Sequence, residues 1–186
     1  MSMLMDVLRD IALALGAVLL LRAFVFTLIV VKGSSMRDTL SNGDRLLATK
    51  LELLLRPPKR GSVIICRYPG SGRRCYIKRL IGLPGDEIEL VNGALLINGV
   101  PQREDYVVHA SRRSMPPVRL DAGEYFVMGD NRANSRDSRA IGPISRRQIV
   151  AVARIRLWPR GRRIISISPP QPQPESSVQP GDIDAH

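Results

Sequence analysis

Residues 75–86 read CYIKRLIGLPGD. Residues 75–81 are a short, largely apolar run that predicts a β-strand, and Pro84-Gly85 predicts a tight turn shortly after it. Lys78 falls inside this strand, where burial would disfavour its charged form and lower its pKa. A neutral amine can accept a proton from a hydroxyl group. The stretch therefore predicts a strand and a candidate general base, although an ordinary lysine at a sheet edge would fit the same residues.

Strand signals recur, with turn signals between them, along the rest of the chain. Asn92-Gly93 and Asn98-Gly99 are typical of hairpin turns, and residues 45–56 predict a strand followed by a helical turn. Helical periodicity is otherwise scarce beyond the N-terminus, so the expected fold is mainly β. The strands predicted besides 75–81 are residues 62–67, 87–91, 94–97, 124–128 and 149–157.

Residues 4–31 are apolar apart from four charged residues and one threonine. The uninterrupted segment 11–21 would be about 16 Å long as a helix, short of the roughly 30 Å hydrocarbon core. One transmembrane helix is therefore expected near residues 7–23, with charged residues towards both ends. Residues 24–31 are β-branched and aromatic and predict a strand. A cleaved secretory signal is the alternative, but no small-x-small cleavage pattern follows the apolar segment.

Three parts of the chain follow from these signals. Residues 1–23 are the expected membrane anchor, and residues 24–165 are the β-rich domain. Residues 166–186 are rich in Pro, Gln and Ser and predict a disordered tail, because they have too few apolar side chains to pack.

The formal net charge of +11 suggests an anionic partner. No helix-turn-helix pattern, zinc-ligand spacing or aromatic platform supports nucleic-acid binding. An anionic membrane surface is the favoured partner because an apolar anchor is also expected. A well-solvated, arginine-rich surface explains the charge equally well.

The two cysteines, Cys66 and Cys75, flank a turn that contains Pro-Gly and further glycines. A hairpin there could bring the two thiols together, and a disulfide in an oxidising compartment would contribute roughly 2–3 kcal/mol. The alternative is two half-buried small apolar residues. No CxxC or HExxH pattern occurs, so neither a metal nor a cofactor is expected.

Two further segments have the residues of a catalytic site. Gly33-Ser34-Ser35-Met36 follows the predicted strand 24–31, where Ser35 can present both its hydroxyl and its own amide to a substrate carbonyl. Residues 129–139, GDNRANSRDSR, concentrate short hydrogen-bonding side chains and charges that suit the surroundings of a buried amine. Each segment alone also fits an ordinary turn or a solvated loop. A serine beside a neutral lysine would form a peptide-bond hydrolase without histidine.

Together and in this order, the three segments resemble the bacterial type I signal peptidases, which are membrane-bound serine–lysine leader peptidases. The resemblance covers most of the chain. It implies that Ser35 is the nucleophile and Lys78 the general base. It also implies that Ser135 hydrogen-bonds and orients the Lys78 amine, while Asp137 supports the local structure through a basic partner such as Arg139.

The family further implies a β catalytic domain on the outer face of the bacterial cytoplasmic membrane, behind a single-pass helix with a cytoplasmic N-terminus. Its substrates are the signal peptides of exported pre-proteins, which it cleaves after a small-x-small motif without a metal or cofactor. A monomer that contacts membrane lipid is expected.

Three positions depart from the family pattern. Asp38 stands where proline is usual, and Ala133 stands where many members have an acidic residue. Gly33 has no hydroxyl to serve as a second oxyanion donor beside the Ser35 amide. These departures concern substrate range and rate. Asp38 and the short body leave open a dedicated processing peptidase of a conjugation or pilus system. A catalytically silent, membrane-anchored binding module of the same fold is an alternative of a different class, and the presence of Ser35, Lys78 and Ser135 argues against it.

Overall fold

Two antiparallel sheets dominate the computed structural model, which describes residues 2–37, 39–158 and 171–172. The strands are β1 (Phe26–Val30), β2 (Arg45–Thr49), β3 (Val63–Cys66), β4 (Tyr76–Gly82), β5 (Glu87–Val91), β6 (Ala94–Ile97), β7 (Val100–Arg103), β8 (Met115–Arg119), β9 (Glu124–Met128), β10 (Ile144–Ser145), β11 (Ile149–Trp158) and β12 (Gln171–Pro172). The helices are α1 (Ser2–Phe24), α2 (Leu51–Leu55) and α3 (Ser138–Ile141), with 3-10 turns at Arg132–Asn134 and Arg146–Gln148. The expectation of a mainly β fold is confirmed.

The larger sheet has the strand order β1-β2-β11-β3-β4-β9-β10 and is buried on both faces at its centre. Successive residues of a strand point to opposite faces. Ile64 therefore lies in one apolar cluster, while its neighbours Val63 and Ile65 lie in another. This two-sided burial explains why β3 is a continuous apolar run rather than an alternating one.

The smaller sheet has the strand order β12-β7-β6-β5-β8, and a third apolar cluster joins it to the end of β4 and to β9. Its hairpin turns contain Asn92 and Asn98 at positive φ, as the two Asn-Gly pairs predicted. Strand β8 was not predicted because its sequence contains Pro116 and Pro117. Proline cannot donate a backbone hydrogen bond, and β8 tolerates two of them because it is an edge strand.

The strand boundaries at 87–91, 94–97 and 124–128 match their predictions, and the strand and helical turn expected over 45–56 are β2 and α2. The disordered tail expected over residues 166–186 stays a prediction, and the structure describes two of its residues. Gln171 and Pro172 pair with β7 and extend the smaller sheet by one edge strand. The other residues of the predicted tail lie outside the described residues.

The N-terminal helix α1 includes the predicted segment 7–23, and β1 follows it as expected. Among the described residues, no helix has the length and apolar character needed to cross a membrane.

The predicted pairing of the two cysteines is wrong. Cys66 lies opposite Tyr76 in the β3–β4 ladder, and Cys75 precedes Tyr76, so its side chain points to the other face. Cys66 is buried and Cys75 is exposed, and both thiols are free. Burial raises the pKa of the Cys66 thiol to about 12. Cys66 therefore fits the alternative prediction of a small apolar core residue.

Candidate active site

The turn after β1 presents Ser35 and is held on both sides by hydrogen bonds. Gly33 adopts a φ of +99°, a conformation that favours glycine, and its amide donates to Asn42 Oδ1 at 3.1 Å. Asn131 fixes the turn from the other side, because its amide donates to the Ser35 carbonyl and its Nδ2 to the Ser34 carbonyl, each at 3.1 Å. The Ser35 backbone is therefore oriented before any substrate binds.

Strand β4 brings Lys78 to this turn from 43 residues further along the chain. Lys78 Nζ lies 2.6 Å from Ser35 Oγ, and Lys78 is only 2% exposed. Burial lowers the pKa of the Lys78 amine below its usual value, although the charge of Asp137 opposes the shift. The structure thus places the predicted base on the predicted nucleophile and favours the neutral amine that proton transfer requires.

Asp137 lies behind this pair and organises the segment that follows β9. Its carboxylate accepts a hydrogen bond from the Gly129 amide at 2.9 Å and forms an ion pair with Arg139 at 2.8 Å. Burial would raise the pKa of Asp137, but these contacts outweigh it and hold the pKa below the usual value. The ion pair with Arg139 is the one that the resemblance implied.

Ser135 does not make the contact that was expected of it. Its hydroxyl is buried but forms no hydrogen bond with the Lys78 amine. It packs against Gly129, where an added Cβ would overlap both the Ser135 hydroxyl and the Ser35 carbonyl oxygen. Ser135 therefore lies near the site, but its hydroxyl makes no hydrogen bond to the base in this structure.

The departures from the family pattern lie in different surroundings. Gly33 supplies no hydroxyl, and because its amide is already bonded to Asn42, no second oxyanion donor comes from this residue. Ala133 is exposed, and its amide donates to the His109 carbonyl at 3.2 Å. Asp38 lies outside the described residues.

A buried ion pair under the site was missed by the sequence analysis. Arg79, the residue after Lys78, is fully buried and donates to both carboxylate oxygens of Asp130, at 2.8 and 2.6 Å. Its guanidinium also lies 4.0 Å from the ring centre of Tyr106, and Thr39 donates to Asp130 at 2.5 Å. The pair links β4 to the segment that contains Asn131. The one sequence signal for this ion pair was an arginine, Arg79, inside a predicted strand.

A small cavity of about 140 Å³ opens at the Ser35–Lys78 pair, between the end of β1 and the start of β4. Its apolar side chains come from both strands and from the turn, and they include Ile29, Val31, Met36 and Ile77. Among the described residues, no three His, Cys, Asp or Glu side chains are grouped so as to hold a metal ion. The arrangement can activate a hydroxyl for attack on a group held in this cavity.

Comparison with known proteins gives the class of the protein, which is a peptidase. The family described as "Signal peptidase, peptidase S26" matches residues 4–158. A signal peptidase I P from Bacillus subtilis subsp. natto is 37% identical over 87% of this chain and 92% of its own. A signal peptidase I from Leptolyngbya laminosa is 34% identical over 87% of this chain and 83% of its own.

The chain belongs to the signal peptidase family, so the prediction of a signal peptidase enzyme is confirmed. A solved structure of a signal peptidase I from Enterococcus faecalis is also similar to this chain. It is 32% identical with a TM-score of 0.46, over 52% of this chain and 97% of that one.

Proposed function

We propose that this enzyme, as a monomer, removes signal peptides from exported pre-proteins with Ser35 as nucleophile and Lys78 as general base. The observation that carries the proposal is the 2.6 Å distance between Lys78 Nζ and Ser35 Oγ, with the amine buried. A lysine in contact with solvent would be protonated at neutral pH and could not accept the serine proton.

The reaction proceeds in two stages. Ser35 Oγ attacks the scissile carbonyl while Lys78 Nζ takes the hydroxyl proton, and the Ser35 amide donates to the resulting oxyanion. Lys78 then gives that proton to the leaving amine, which produces an acyl-enzyme and a free mature N-terminus. In the second stage Lys78 takes a proton from water as the water oxygen attacks the ester carbon. The bond between Ser35 Oγ and the acyl group then breaks, Lys78 returns the proton to Ser35 Oγ, and the signal peptide leaves with a new C-terminal carboxylate. Asn131 supports both stages by fixing the turn.

The small cavity supports cleavage after a small-x-small motif. In an extended chain, residues two apart point to the same side, so the two small residues of the motif would face the same wall. That wall is lined by Ile29 and Ile77, and a cavity of about 140 Å³ leaves space for alanine-sized side chains. Large side chains at those two positions would overlap the cavity wall, which gives selectivity for small residues.

We also propose that the enzyme is attached to the outer face of the cytoplasmic membrane through α1, as a single pass with a cytoplasmic N-terminus. The apolar side chains of α1 that the structure describes are exposed, and an exposed apolar surface continues across β1 and β11. Arg45 lies between Val30 and Trp158 in the sheet register and suits an anionic headgroup. The apolar surface consists of Phe26, Leu28, Val30, Ile155 and Trp158.

Protease treatment of intact spheroplasts tests this topology. The catalytic domain should be degraded from outside, while a tag at the N-terminus should be protected. Release of the full-length protein by alkaline carbonate would contradict a spanning helix, and a protected catalytic domain would contradict its outward orientation.

Cleavage of a labelled secretory pre-protein in detergent micelles tests the reaction. Wild type should cut after a small-x-small sequence, as located by N-terminal sequencing of the product, and Ser35→Ala should not cut. If folded wild type leaves several pre-proteins intact, the general function is wrong. A dedicated processing peptidase, or a silent binding module, would then explain the fold.

A further inference from the structure

A second cavity lies beside the catalytic cavity and takes no part in the steps above. Its volume is about 570 Å³, and Tyr76 lines both cavities. The other walls come from the loop between β3 and β4 and from the segment around α3. A polypeptide bound along the start of β4 would therefore pass this second cavity.

The walls of the second cavity are preformed. The rings of Tyr68 and Tyr76 are stacked, with centres 4.3 Å apart and planes inclined by 16°. The Tyr68 hydroxyl donates to the Arg136 carbonyl oxygen at 3.3 Å, and the Ser71 hydroxyl donates to the Tyr68 carbonyl oxygen at 2.8 Å. These contacts join the loop to the α3 segment, so no rearrangement is needed to form the cavity.

The charge of this cavity is positive and uncompensated. Arg74 and Arg136 line it, and neither guanidinium forms an ion pair with a carboxylate among the described residues. The nearest acidic neighbour in the chain, Asp137, is already paired with Arg139. By contrast, the buried arginine Arg132 donates to both carboxylate oxygens of Glu104. Two exposed guanidinium groups that line one cavity without an acidic partner among the described residues favour the binding of a carboxylate.

We propose that this second cavity binds an acidic side chain of the substrate polypeptide close to the scissile bond. The proposal rests on the function proposed above and adds a charge preference to it. Tyr76 lines both this cavity and the catalytic cavity, whereas the cavity shares no residue with the apolar surface assigned to the membrane. A substrate carboxylate is therefore favoured over a lipid phosphate.

Matched pairs of pre-protein substrates test this proposal. The two members of a pair have Asp or Asn at one position near the cut, and the pairs cover successive positions on both sides of it. At one or more positions, wild type should prefer Asp by about three- to five-fold in kcat/KM, the upper part of the range for an exposed ion pair. The preference should shrink as ionic strength rises, because exposed charges are screened. The double variant Arg74→Gln/Arg136→Gln should lose the preference.

Arg112→Gln is the matched control, because Arg112 is an exposed arginine that lines neither cavity. It should retain the preference for Asp. Binding of the same peptides to Ser35→Ala provides a second measurement that does not depend on turnover. In the double arginine variant, the Asp and Asn peptides should have equal dissociation constants.

Equal cleavage of Asp and Asn substrates at every position would overturn this inference and leave the proposed function intact. Absence of all cleavage would refute the proposed function, and the binding ratio would still decide the charge preference. If the double variant instead loses binding to phosphatidylglycerol vesicles with its Asp preference unchanged, the cavity binds lipid and the proposal is wrong.

Discussion

Replacing Lys78 by methionine should abolish activity and make the protein more stable. Methionine occupies a similar volume but cannot take a proton from Ser35. A general base contributes about 10²- to 10⁴-fold, so kcat/KM should fall by about 10³-fold. The gain in stability follows from burial, because the folded protein holds an amine that is only 2% exposed and whose pKa lies below its usual value.

The sign of the stability change comes from proton binding. A folded-state pKa below the unfolded value means that the unfolded chain binds more protons between those two pKa values, so the free energy of unfolding rises with pH there. At neutral pH the wild type therefore bears a cost of about 1.4 kcal/mol for each unit by which the pKa is lowered. For a chain of this size, that corresponds to a Tm increase of roughly 3–5 °C per unit in Lys78→Met.

Thermal unfolding by circular dichroism and cleavage of a labelled pre-protein provide the two readouts. Wild-type kcat/KM should increase with pH as Lys78 loses its proton, with a midpoint below the ordinary lysine pKa of about 10.4. Lys78→Arg is the matched control, because arginine stays charged and should be inactive and less stable. The reasoning fails if Lys78→Met keeps activity within tenfold of wild type, or if its Tm at neutral pH falls below that of wild type.

Three further results are expected from the surroundings of the site. Asp130→Asn leaves the buried Arg79 charge without its partner and should lower the free energy of unfolding in urea by about 3–5 kcal/mol, whereas a negligible loss would contradict a buried pair. Gly129→Ala should lower stability by about 1–3 kcal/mol, because the new methyl group overlaps the carbonyl of the proposed nucleophile. Its kcat should fall too; full activity would show that the turn can move. Thiol titration of the native enzyme should label Cys75 and spare Cys66, and both should be labelled after denaturation. A Tm that drops when dithiothreitol is added would contradict free thiols and favour a disulfide between them.

The candidate site was largely predictable from short segments. Ser35 and Lys78 each have a local signal, a serine at a strand end and a lysine inside a strand, and the resemblance of three segments in order to one family selected them. The Asn-Gly pairs predicted the hairpins because positive φ at those positions is a property of the turn itself. Such signals depend on residues within a few positions of each other, so they can be interpreted without knowledge of the rest of the fold.

What could not be predicted depends on register between distant segments. Arg79 lies opposite Val63 and Met128, and only this pairing brings its guanidinium to Asp130 in the interior. The thiol pairing failed for the same reason, since a shift of one residue in a ladder reverses the face on which a side chain lies.

The amino-acid pattern therefore predicts a β-rich fold, and its resemblance to the signal peptidase family selects Ser35 and Lys78 as candidate nucleophile and base. Tertiary structure alone decides that Lys78 Nζ meets Ser35 Oγ at 2.6 Å, and that the buried Ser135 hydroxyl lies close to Gly129 without a hydrogen bond to the amine. Periodicity is encoded over neighbouring residues, whereas burial and contact distance arise only when strands far apart in the chain pair in one register.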